Sequence, residues 1–281
     1  MKHFVLPVLL VVAFASFAQQ EVRIHLFFKP GNVYRTVLTG NTDMAMDFTG
    51  DQAKIDQMKS KGLILPLMIK GVSESITVTT TGERTSDNRI PVRMVYEKMT
   101  NKNIMNEKET VVENPATGLI VEGSYNSEGN KMTIDTLISD KLDDGFKNML
   151  RATIENVQQL VIFPETPLKV GDSFEQKVPM EIPMPGVAPI KILINTTYNL
   201  KSIENSIAKF DFKQTVQLGI ENPAAEISAS GGGTGTSEYD ITMNVMSTYE
   251  SDLKMNMEMK IADFVIKATI DAKSKQVMTM Q

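Results

Sequence analysis

Few residues in this chain have the types and spacing that catalysis or metal binding requires. Beyond Ala18 it holds one histidine, His25, and neither cysteine nor tryptophan. His25 sits in the alternating run Val22-Arg-Ile-His-Leu-Phe-Phe28, where period two gives it the same face as Arg23 and Phe27. A general base needs an acid or nucleophile placed beside it. No Gly-x-Ser-x-Gly elbow is present to supply one, and a single histidine makes no zinc site without several carboxylates. Carboxylate pairs occur at Asp143-Asp144 and Glu107/Glu109. A carboxylate-dependent hydrolase needs two acids about 5–10 Å apart in a cleft. In a chain with 34 acidic residues such neighbours arise by chance, and Asp143-Asp144-Gly145 reads better as helix punctuation. The run Ser230-Gly-Gly-Gly-Thr-Gly-Thr236 lacks the lysine of a phosphate loop, so it is expected to be a flexible hairpin loop.

Methionine is the one compositional excess. It recurs as Met-x-Met at Met44/Met46, Met255/Met257/Met259 and Met278/Met280. Thioethers are soft ligands that select Cu(I), and on a strand residues i and i+2 lie about 7 Å apart on one face. Leu253 and Ile261 continue the central stripe as plain hydrophobes, and no His or Cys stands among the methionines. Packing, or an adaptable wall around an apolar cavity, is therefore the leading reading, with Cu(I) binding as an alternative.

The elements that must position these residues are mostly strands. Leu253, Met255, Met257, Met259 and Ile261 alternate with polar neighbours, and Phe264, Ile266, Ala268 and Ile270 repeat the pattern after Ala262-Asp263. That is an antiparallel hairpin with one buried face. Similar alternation marks 22–28, 33–48, 75–81, 92–98, 108–113, 119–125, 173–182, 190–200, 209–218, 238–247 and 276–280. From Ile134 to Val161 apolar residues recur at steps of three and four, which predicts a long amphipathic helix over 133–163. A shorter helix is predicted around 51–60, ending at Gly62.

Phe28-Lys-Pro-Gly-Asn-Val-Tyr34 resembles Leu168-Lys-Val-Gly-Asp-Ser-Phe174 at an offset of 140 residues. Ile76, Thr80-Thr81, Met94 and Tyr96 align with Ile192, Thr196-Thr197, Phe210 and Phe212 at an offset of 116. This predicts a duplicated strand unit: 19–132, with a helical insertion at 49–72, and 164–281, joined by the helix of 133–163.

Residues 1–18 read as a signal peptide: Lys2-His3, an apolar run from Phe4 to Phe14, and Ser16-Phe17-Ala18 before a cleavage at Gln19. The expected location is periplasmic or secreted, soluble, with no integral membrane span and no cysteine for a lipid anchor. The acidic excess is mild and no basic cluster is visible, which argues against nucleic acid.

The paired turns, the exported context and Phe163-Pro164-Glu165 ahead of the second turn resemble an uncharacterised bacterial family of exported envelope proteins, a domain of unknown function covering most of the mature chain. That resemblance brings no catalytic residues and no cofactor. Architecture alone is also similar to periplasmic lipoprotein carriers and other lipid-binding envelope proteins.

The expected fold is therefore mainly β, within the α+β class: a curved antiparallel sheet or open β-barrel of two related units, with the long helix on its concave, Met-rich face. The expected function is non-enzymatic binding of a lipid or other apolar small molecule. The alternatives are an envelope module with a dry core that binds a protein partner, a hydrolase, and a Cu(I) binder. The residues expected to line a cavity are Met44, Met46, Leu142, Phe146, Met149, Met255, Met257, Met259, Phe264 and Ile266.

Overall fold

The computed structural model describes residues 20–105, 108–126, 131–160, 163–182, 190–218, 226–261 and 264–281. The expected signal segment lies outside them. In chain order the elements are β1 (Glu21–Val22), β2 (Val33–Gly50), α1 (Gln52–Ser60), β3 (Leu67–Thr81), β4 (Arg89–Met105), β5 (Lys108–Glu113), β6 (Ile120–Asn126), β7 (Lys131–Ile138), α2 (Asp144–Leu160), β8 (Leu168–Lys169), β9 (Ser173–Ile182), β10 (Ile190–Glu204), β11 (Ile207–Leu218), β12 (Glu226–Asp240), β13 (Val245–Ile261) and β14 (Phe264–Met280).

Twelve strands form one antiparallel sheet in the order β7-β6-β4-β3-β2-β14-β13-β12-β11-β10-β9, with β5 beside the far half of β4. β1 and β8 make a separate two-stranded ribbon. Among the described residues the sheet does not close into a barrel. Its ends are β7 and β9, and α2 packs against both.

Alternation governs both faces. One face carries cross-strand ion pairs such as Lys273–Asp252, Lys275–Glu250 and Lys267–Glu258 between β13 and β14. Exposed pairs of this kind contribute little each but disfavour a one-residue slip that would turn the apolar set to water. The opposite, inner face carries the core, and it is divided. Around β9 to β12, Phe174, Tyr198, Phe210, Phe212 and Tyr239 form an aromatic cluster, with Phe174 stacked on Tyr198 at 4.9 Å. Around β10 to β14, Ile192, Val216, Met255 and Met259 form an aliphatic one. Register places a polar row between them, Gln176, Thr196 and Gln214. Gln214 Nε2 donates to Thr196 Oγ1 (3.3 Å) and Tyr249 Oη (3.2 Å), so this row is hydrogen-bonded rather than orphaned. A third cluster, including Leu119, Val121, Ile134 and Leu142, unites β4, β6 and β7 with α2.

Four expectations need correction. The long helix starts at Asp144, not near Thr133, because Ile134 and Leu137 belong to β7. Asp135 is an extra residue in the β6–β7 ladder, since Gly123 faces Ile134 and Glu122 faces Thr136. That bulge puts two residues three apart on one face and so imitates helical spacing. Second, the glycine-rich run is not a loop. It lies mid-strand in β12, paired with both β11 and β13. A Cβ at Gly235 would come within 2.1 Å of Glu250 O and 2.2 Å of Phe212 Cζ, so the neighbours pack where a side chain would be. Third, 22–28 is a strand only at Val22, and 238–247 is broken by a turn at 241–244. Fourth, α2 does not lie over the Met255–Met259 stripe. Its main partners are β7 and β9.

Other expectations are met. Asp143 caps α2, its Oδ1 accepting from Phe146 N at 2.8 Å. Asp51 caps α1 through Ala53 N and Lys54 N. The hairpin places Ile261 opposite Phe264. The two Lys-x-Gly-(Asn/Asp) turns have Gly31 at φ 69° and Gly171 at φ 98°, and each opens a long strand. In both, the Asn/Asp carbonyl accepts from the second strand of its meander: Thr81 N to Asn32 O and Leu200 N to Asp172 O. These bonds give the second strands an offset of 119, three residues from the sequence alignment.

Candidate functional site

Residues 23–29 form no regular structure. Several of their backbone polar groups find partners in tyrosine side chains instead. His25 N donates to Tyr239 Oη (3.2 Å), Lys29 N donates to Tyr34 Oη (2.8 Å), and Tyr125 Oη donates to Leu26 O. Phe27 N donates to Asn244 O at 3.1 Å. Three tyrosines from β2, β6 and β12 thus hold this segment across the inner face. Burial pushes the Tyr125 hydroxyl up to about 12 and raises those of Tyr34 and Tyr239 as well.

Held in this way, Leu26, Phe27 and Phe28 form one wall of a pocket of about 390 Å³. The sheet supplies Met94 and Tyr96 from β4, Tyr125 from β6, Met132 from β7, Val245 and Met246 from β13, and Gln276 and Met278 from β14. Ile154 of α2 and Phe163 complete it. The pocket lies between the aromatic cluster and the β6–β7–α2 cluster, both of which share wall residues with it. Among the described residues its lining contains no charged side chain. Two other hollows, of about 400 and 370 Å³, carry Lys, Asp and Thr side chains, several of them already joined in ion pairs.

None of the ten residues expected to line a cavity lies in this pocket. Met255, Met257, Met259 and Ile266 do meet, in the aliphatic cluster. Met44 stands opposite Ile270 and Met46 opposite Ala268, on the same face. Met44 and Met255 also border the 370 Å³ hollow. Phe264 lies under Lys54 of α1, the ammonium 5.8 Å from the ring centre. Leu142 is buried with β6 and β7, whereas Phe146 and Met149 of α2 are exposed. The ten therefore do not share one wall. The pocket's methionines are mainly isolated ones, Met94, Met132 and Met246, and only Met278 belongs to a Met-x-Met pair. Leu26-Phe27-Phe28 gave a usable signal: three consecutive large apolar residues do not fit a half-buried strand.

His25 engages Tyr239 through its backbone and approaches the Phe27 ring at 5.2 Å. Among the described residues no group of three or more His, Cys, Asp or Glu is placed to hold a metal ion. Among them, too, no helix is long and apolar enough to cross a membrane.

Fold and site together define a wide, open antiparallel sheet with an apolar hollow on its inner face. Residues 120–258 match the model of a family of unknown function, DUF6263. The match runs from the first residue of β6 into β13, so it includes α2 and the second Lys-x-Gly-Asp turn but not the first. It is narrower than the span expected from the resemblance, and the kinship with an uncharacterised family holds through this segment. No curated protein matches the chain.

Proposed function

We propose that this is an exported, non-catalytic protein of the bacterial envelope that holds an apolar small molecule, with a lipid as the leading candidate. The pocket at Leu26–Phe28 carries this reading. At about 390 Å³ it is within the ~300–1,000 Å³ range of small-molecule sites, and its described lining is mostly aromatic, thioether and aliphatic. Methionine adapts its shape to irregular partners, which suits a site for flexible chains. The signal-like first 18 residues support the extracytoplasmic placement.

Binding of N-phenyl-1-naphthylamine, a neutral dye that brightens in apolar surroundings, tests the proposal. Wild-type protein is expected to take it up saturably with micromolar or tighter affinity, and native mass spectrometry of gently purified protein should reveal co-purified lipid. Ile154→Trp and Met94→Trp, which fill the pocket, should each cut bound dye at least fivefold while the far-ultraviolet dichroism stays unchanged. Absence of saturable uptake by the wild type would overturn the reading.

A further inference from the structure

The pocket's polar content narrows the class of ligand. Among the described residues, three of its lining side chains hydrogen-bond readily: Tyr125, Tyr96 and Gln276. Tyr125 already donates to Leu26 O. Tyr96 and Gln276 make no side-chain hydrogen bond among the described residues. The contrast with Gln214 is direct, because that amide on the same face is satisfied by Thr196 and Tyr249. Burial alone raises the Tyr96 hydroxyl above its ordinary value, so it keeps its proton and remains a donor. Neither Tyr96 nor Gln276 is sealed from water, so a ligand that enters displaces that water and is favoured when its own head group meets the phenol and the amide. A phenol and a primary amide together offer three N–H or O–H donors and an amide carbonyl acceptor. They offer no cation, and among the described residues the lining contains no Lys, Arg or His. A carboxylate or phosphate buried there would lack a counter-charge.

We propose that the pocket selects an uncharged amphiphile, an apolar chain ending in a carbonyl or hydroxyl head group that Tyr96 and Gln276 engage, over the corresponding anion. This deepens the apolar-ligand reading and rests on it. The test is displacement of bound N-phenyl-1-naphthylamine at pH 8 by 1-monododecanoylglycerol and by dodecanoate, which share one chain. The glyceride is expected to displace the dye at a concentration at least tenfold lower. Tyr96→Phe with Gln276→Leu should bring that ratio below threefold, chiefly by weakening the glyceride, each displacement being referred to the dye affinity measured for that variant. Each single substitution should narrow it in part, which keeps the test usable if the double variant folds poorly. Dye uptake with dodecanoate binding as tightly as the glyceride, or a preference untouched in every variant, would overturn this inference alone. Failure of dye uptake by the wild type would remove the pocket reading, and this inference with it.

Discussion

At the scale of single residues, the glycines of β12 and the tyrosines around residues 23–29 carry more than their neighbours. Gly235 occupies space that any side chain would dispute with a backbone carbonyl and an aromatic ring. Gly235→Ala should cost about 2–3 kcal/mol in urea unfolding, the upper part of the range for overpacking a core. Gly232→Ala, whose Cβ would first meet an atom at 3.1 Å, should cost clearly less. Tyr125 gives a pH signature. Its hydroxyl titrates near 10.0 when unfolded and at about 12 when folded. Below pH 10 both states hold the proton; above it the unfolded state releases it first. Stability should therefore be complete below pH 10 and fall as pH rises to about 12. Chemical unfolding at pH 9, 10, 11 and 12 checks this, and Tyr125→Phe should show a shallower decline across that interval.

At the scale of elements, α2 is fastened to the sheet through its two end strands, β7 and β9. Its fork is Arg151, with Nη1 donating to Ile134 O at 2.9 Å and Nη2 to Asp135 O at 3.3 Å. Those carbonyls belong to β7, an end strand of the sheet, so the guanidinium occupies acceptors on an edge that would otherwise invite pairing. Arg151→Ala should lower stability by about 1.5–3 kcal/mol, as for hydrogen bonds to a charged donor. Amide exchange should quicken in α2 well before it does in β13. Arg151→Lys should recover little, because an ammonium cannot span both carbonyls. Element type was legible in much of the alternating sequence: 108–113 and 173–182 coincide with β5 and β9. It was lost where bulges or missing side chains disturbed the period. The Asp135 bulge lent β7 a helical spacing, and the glycines of β12 erased the alternation that marks a strand.

At the scale of the whole molecule, the open antiparallel sheet was legible and the pocket was not. Period two states which residues face inward, and Met255, Met257 and Met259 do face inward. It does not state how far along a strand a hollow will open. That is decided by the path of residues 23–29 and by α2, whose Ile154 joins the wall of the pocket. Both arise from contacts between distant parts of the chain. The local strength of the Met-x-Met pattern therefore pointed to the aliphatic cluster and away from the cavity.

The position of β14 has a consequence for how the protein is made. The last strand in chain order lies in the middle of the sheet, joining β2 on one side to β13 on the other. Until it is available, the first meander has no bridge to the second, and β2 presents a long unsatisfied margin to whatever it meets. Such distant pairing is slow to form. Assembly of the joined sheet must therefore wait for Phe264–Met280 to be synthesised, and a nascent chain halted before that point would be an aggregation hazard needing a chaperone's cover.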